Sequence, residues 1–165
     1  MDCWNYSLQR ILESSWKNFD YDEEKIFSIN YPEVSLLPKI GKILLKEFNN
    51  VAIIHEEPEL FKNIESQEEE EIADEYREEL YNFISKGWKF WCNKIDIDFL
   101  TPILSEEIYC IISIKKWEKD SHFVVLRKWE NWIIDDNKLW EYEVNDEELA
   151  DLIDLYNGKY VLLCS

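Results

Sequence analysis

Apolar side chains recur along this chain at two spacings, and the switches between them lay out an order of helices and strands. Trp4, Leu8, Ile11 and Leu12 fall at helical spacing and predict a helix from Cys3 to about Trp16, with Asp2 as its N-cap. A short helical turn is expected over Tyr21 to Phe27, closed by Tyr31-Pro32. Ser35 then caps a second helix that turns Leu36, Leu37, Ile40, Leu44 and Phe48 inward and carries Pro38 in its first turn, where proline is tolerated. Further on, Ser66-Gln67-Glu68-Glu69 has the form of a capping box ahead of Ile72, Tyr76, Leu80 and Phe83, and Gly87 marks the stop. Asp98 to Ser105 reads as a short helix. A last helix follows Asn145, with Leu149, Leu152, Ile153 and Tyr156 inward and Asn157-Gly158 as its cap.

Between these helices lie runs with strand character. Val51 to His55 is a short one, and Ile108 to Ile114 is nearly continuous in apolar residues, the mark of a central strand. Phe123 to Leu126 and Trp132 to Ile134 flank the short polar segment Lys128 to Asn131 and predict a β-hairpin; Tyr160 to Cys164 returns as a final strand. Lys86 to Cys92, rich in Trp and Phe, fits a strand, a lid edge or plain core. The expected architecture is α+β in a single domain over residues 1–165, without internal repeats or low-complexity linkers.

Composition narrows the partners. The 165 residues are 46% hydrophobic and 15% aromatic, enough for one sizeable core, and carry a formal charge of −18. That charge repels phosphate backbones, so nucleic acid is not an expected partner, whereas a basic or polyamine-like one is attracted. The acidic run from Glu65 to Glu79 is expected to be a solvated helix face. No basic-then-apolar start and no uncharged apolar stretch of spanning length occurs, which predicts a soluble, cytoplasmic protein without membrane contact. With three glycines there is no phosphate-binding loop. The four cysteines form no C-x-x-C pair and have no histidine at ligand spacing, so neither a metal nor any other cofactor is expected; Cys92, Cys110 and Cys164, in apolar contexts, read as buried free thiols.

The candidate chemistry lies at the two ends of the chain. His122 stands at the head of the first hairpin strand, and Asp135 and Asp136 end the second, so the fold of the hairpin brings a carboxylate to the imidazole. Which aspartate it is depends on the connecting loop: an even count of residues selects Asp135, an odd count Asp136, and Asp136 is the expected partner. Cys3 would sit in the first turn of the amino-terminal helix, where unpaired N–H groups and the helix dipole favour thiolate. The only other histidine, His55, lacks a following carboxylate and reads as a loop or edge residue.

The order Cys3, then His122, then an aspartate after a short hairpin resembles the papain-like cysteine peptidase superfamily, as does the Cys3-Trp4 opening. The segment His122 to Asn137 is similar to the hairpin of Josephin-type deubiquitinases and to the His strand of double-glycine leader peptidases, and Asp2-Cys3 is similar to the opening of butirosin-type acyltransferases. The resemblance covers about a quarter of the chain. It implies a nucleophile helix packed on an antiparallel sheet, and catalysis through a thioester with Cys3 as nucleophile, His122 as proton relay and Asp136 or Asp135 as orienting carboxylate. A peptidase or an acyltransferase would use a peptide or acyl-carrier substrate, and the charge favours a basic one. One departure is that no Gln precedes Cys3 to complete an oxyanion hole. The alternative from a different class is a non-enzymatic acidic binding protein, of the toxin-immunity or anti-restriction inhibitor type.

Overall fold

In the computed structural model, residues 3–15, 37–56, 64–91, 94–104, 108–115, 121–136, 139–154 and 160–165 are described, and all that follows concerns these. They form five helices, α1 (Cys3–Ser14), α2 (Leu37–Leu44), α3 (Gln67–Ile84), α4 (Ile97–Ile103) and α5 (Asp146–Leu152). Seven strands, β1 (Val51–His55), β2 (Trp88–Trp91), β3 (Tyr109–Lys115), β4 (Ser121–Lys128), β5 (Trp132–Asp136), β6 (Trp140–Val144) and β7 (Tyr160–Cys164), make one open sheet in the order β2-β1-β7-β3-β4-β5-β6. The α+β class follows directly. The turn expected over Tyr21 to Phe27 and the cap at Asn157-Gly158 lie outside the described residues.

The sheet is mixed rather than antiparallel throughout, because β2 runs parallel to β1. The connection between them contains α3, and a parallel pair needs such a crossover. Every other pairing is antiparallel. The apolar run of Ile108 to Ile114 does become a central strand, with β7 on one side and β4 on the other.

Strand alternation divides the core into two layers. On one face Val51, Ile53, Ile111, Phe123, Val125 and Leu162 pack under α1, α2 and α3, which supply Leu8, Ile11, Leu37, Ile40, Leu44, Tyr76, Leu80 and Phe83. On the other face Ile54, Cys110, Ile112, Ile114, Val124, Leu126, Trp132, Ile134 and Val161 pack against α4 and α5 through Leu100, Leu104, Leu149 and Ile153. A central sheet covered on both faces accounts for the unbroken apolar character of β3 and β4.

Local chemistry sets the helix ends. Ser66 accepts from the Glu69 backbone N–H, but the Glu69 carboxylate reaches back to the N–H of Glu65 rather than Ser66, so the box is shifted by one residue. Asn145 and Glu148 form a complete capping box on α5. Gly87 follows α3 for a reason of space: a Cβ there would lie 2.2 Å from the Phe83 ring. Gly41 likewise lets α2 approach α3, since a Cβ would lie 2.7 Å from the same ring.

Candidate functional site

The β4–β5 hairpin pairs Lys128 with Trp132 and Val125 with Asp135, leaving three residues, Trp129 to Asn131, in the turn. This odd loop decides which side each aspartate takes. Asp135 shares a face with Val125 and lies under α1; Asp136 shares the opposite face with Ile134 and Val124.

Asp135 is claimed by α1. The Tyr6 hydroxyl donates to its Oδ1 at 2.7 Å and the Arg10 Nε to its Oδ2 at 2.6 Å. Tyr6 and Arg10 are one helical turn apart, so both reach the same carboxylate. Burial, then the hydrogen bond to Asp135, pushes the Tyr6 phenol up to about 12. The carboxylate raises the Arg10 guanidinium further above its already high value. Sequence reasoning missed this cluster, although the i, i+4 polar pair on an otherwise apolar helix is a signal for it.

Asp136 meets the histidine. His122 is paired with Ile114 and, like Val124, points to the face of α4 and α5. Its Nε2 lies 3.0 Å from Asp136 Oδ1, and both side chains are almost wholly buried. The approach is close, but it does not have the geometry of a directed hydrogen bond. Asp136 Oδ1 also accepts from the Leu139 N–H at 3.4 Å. Tyr142 stands nearby on the same face, its pKa raised by burial and then by the Asp136 charge.

Cys3 is the first residue of α1, and the Ser7 hydroxyl donates to its carbonyl at 3.0 Å. Its side chain is buried in the layer that contains Leu8, Phe123 and Val125. The sheet therefore lies between Cys3 and His122, and the described residues bring together His122 and Asp136 but not the thiol. Cys110 does share the His122 face. It pairs with Leu126, however, four residues along β3 from Ile114, which is on the order of 13 Å of strand. Burial and the Cys164 thiol raise its pKa well above the ordinary thiol range, while burial pushes Cys164 up to about 12.

Comparison with protein-family models, with curated proteins and with solved structures finds no match for the chain.

His55, expected at a loop or edge, is instead 2% exposed at the end of β1. Its Nε2 is 2.6 Å from the Tyr76 hydroxyl of α3, and burial, then the Lys89 charge, lowers its pKa to about 4. His55 Nδ1 and Ser113 Oγ are buried without a hydrogen-bond partner. The strand register puts both in one row across the α1 face, with Tyr160 between them. Among the described residues no group of three or more His, Cys, Asp or Glu is placed to hold a metal ion, and no helix is long and apolar enough to cross a membrane. His122 and Asp136 thus form a buried imidazole–carboxylate pair, and among the described residues the Cys3 thiol is not beside it.

Proposed function

We propose that this chain is an acidic binding protein that recognises a basic protein partner and performs no covalent step of its own. The observation that carries the reading is the position of Cys3 and His122 on opposite faces of the sheet, because a thiol and an imidazole that do not touch cannot share a proton. The charge of −18 supplies long-range attraction for a basic surface. Both ends of the strand order, β2 and β6, carry exposed aromatic side chains of the kind interfaces use. The free thiols Cys110 and Cys164 support a reducing compartment such as the cytoplasm.

The reading is tested by two measurements on the intact protein. Alkylation by iodoacetamide at neutral pH should leave Cys3 no faster than an ordinary buried thiol, and fluorescein-labelled polylysine should bind in low salt while polyglutamate does not. Rapid, stoichiometric alkylation of Cys3, or equal indifference to both polymers, would overturn it.

The second reading is a papain-like thiol enzyme, a peptidase or an acyltransferase working through a thioester on Cys3. It is favoured by the 3.0 Å approach of His122 to Asp136 and by the location of Cys3 at a helix start. It requires the first turn of α1 to pass around the end of β4 so that sulfur meets imidazole. Turnover of a fluorogenic acyl substrate that is lost in both Cys3→Ala and His122→Ala would establish it.

A further inference from the structure

At the free edge of the sheet, β6 presents two different faces along five residues. Glu141 and Glu143 are exposed on one of them, opposite Asp135 and Ile133 of β5. Trp140 and Tyr142 lie on the other, opposite Asp136 and Ile134. Trp140 is 76% exposed and the preceding Leu139 66%, the largest apolar exposures at this edge. Trp140 has φ +65°, a left-handed conformation that bulky residues avoid. β6 pairs with β5 on one side only, and among the described residues no strand occupies its other side. An open edge is a row of unpaired backbone donors and acceptors, and charge on it ordinarily serves to keep other strands away. An edge guarded for that purpose alone has no use for an exposed Leu139 and Trp140.

We infer that the β6 edge is a docking site for an extended basic segment of another protein, added to the sheet as an eighth strand. This deepens the proposed function by naming its surface and the form of its partner, and it rests on that reading. A strand paired with β6 would place every second side chain beside Glu141 and Glu143 and the intervening ones beside Trp140 and Tyr142. The segment that fits alternates basic with apolar residues. Arg127 already pairs with Glu141, whereas Glu143 faces the amide of Asn131, which donates to it at 3.2 Å. A second copy of this chain is a poor occupant because its own charge of −18 repels it. The opposite edge is the natural control. β2 also exposes aromatics, Trp88 stacked on Phe90 with ring centroids 6.3 Å apart, but the strand itself carries Lys89 and no acidic residue.

The test uses the full chain and two fluorescein-labelled peptides of equal composition, one alternating Lys with Val and one with the Lys and Val residues in separate blocks. In low salt the alternating peptide should bind at least about tenfold tighter than the block peptide. It should slow amide exchange in residues 140–144 and shift the Trp140 emission to the blue. Glu143→Lys and Trp140→Gly should each weaken it about tenfold, while Trp88→Ala should not. Glycine accepts the backbone angle at position 140, so that variant keeps the fold. If both peptides bind equally, or exchange slows at β2 instead of β6, the edge assignment fails while the acidic binding reading survives. If neither peptide binds, both fall.

Discussion

Asp135 and Asp136 are adjacent in the chain yet serve opposite faces of the sheet, one held by Arg10 at 2.6 Å and the other 3.0 Å from His122. Alternation along β5 makes this unavoidable. It also gives the two carboxylates separate duties, so their substitutions should differ. Asp135→Asn removes a charged acceptor from Tyr6 and Arg10, and because Arg10 is about a third exposed the loss is moderated by solvent. A decrease of about 1 to 2 kcal/mol in unfolding free energy is expected by urea denaturation. Asp136→Asn breaks no directed hydrogen bond to His122 and leaves the Leu139 N–H an amide oxygen as acceptor, so it should cost less than Asp135→Asn; a larger loss for Asp136 than for Asp135 would reverse the assignment of the structural carboxylate.

Acid should weaken the fold through His55. Its folded pKa of about 4 lies below the ordinary 6.5, so between these values the unfolded chain takes up a proton that the folded one refuses. The neutral-histidine contribution is complete above pH 6.5 and is lost progressively as the pH falls toward 4. Its ceiling is about 3 kcal/mol, from roughly 1.4 kcal/mol per pKa unit. The Tyr76 hydroxyl faces it and the Lys89 ammonium acts on it, with Tyr160 as its cross-strand partner. Carboxylates titrate in the same range, so the measurement is the difference between wild type and His55→Gln. The variant should show a shallower loss of stability from pH 6.5 to 4, and parallel curves would rule His55 out.

Close packing of α2 on α3 should make Gly41 intolerant of a methyl group. Within a helix, Gly→Ala ordinarily adds up to about 1 kcal/mol of stability. Here the new Cβ would meet Phe83 at 2.7 Å in a fully buried layer, and overpacking costs about 1 to 3 kcal/mol. The clash should win, lowering the thermal midpoint of Gly41→Ala. An unchanged or raised midpoint would mean that the Phe83 ring is free to turn aside.

Cys110 and Cys164 should resist alkylation in the native protein at neutral pH. Both are buried, and their raised pKa values leave almost no thiolate. Mass spectrometry after iodoacetamide treatment should find them modified only when urea is present.

The order of most elements was legible in the sequence because each signal is local; β6, over Trp140 to Val144, was not read. Leu8 and Ile11, Ile72 and Tyr76, and Leu149 and Ile153 stand at helical spacing whatever the rest of the chain does. Ser66 and Asn145 cap helices through residues three positions away, and the unbroken apolar run of β3 announced a strand covered on both sides. The proximity of His122 to a carboxylate was legible too, since a hairpin brings its own ends together. Which carboxylate depended on one residue of turn length, and the three-residue turn from Trp129 to Asn131 gave it to Asp136. The face on which α1 lies could not be read, because nothing within α1 says which side of a distant sheet it will cover. Phe123 and Val125 are as apolar as Val124 and Leu126, so both faces of β4 invite a helix. Only long-range packing, fixed in part by the grip of Tyr6 and Arg10 on Asp135, put Cys3 on one side and His122 on the other. The parallel placement of β2 was decided in the same way. Trp88 to Trp91 has strand character by itself, but its direction comes from the α3 crossover that carries the chain back along β1.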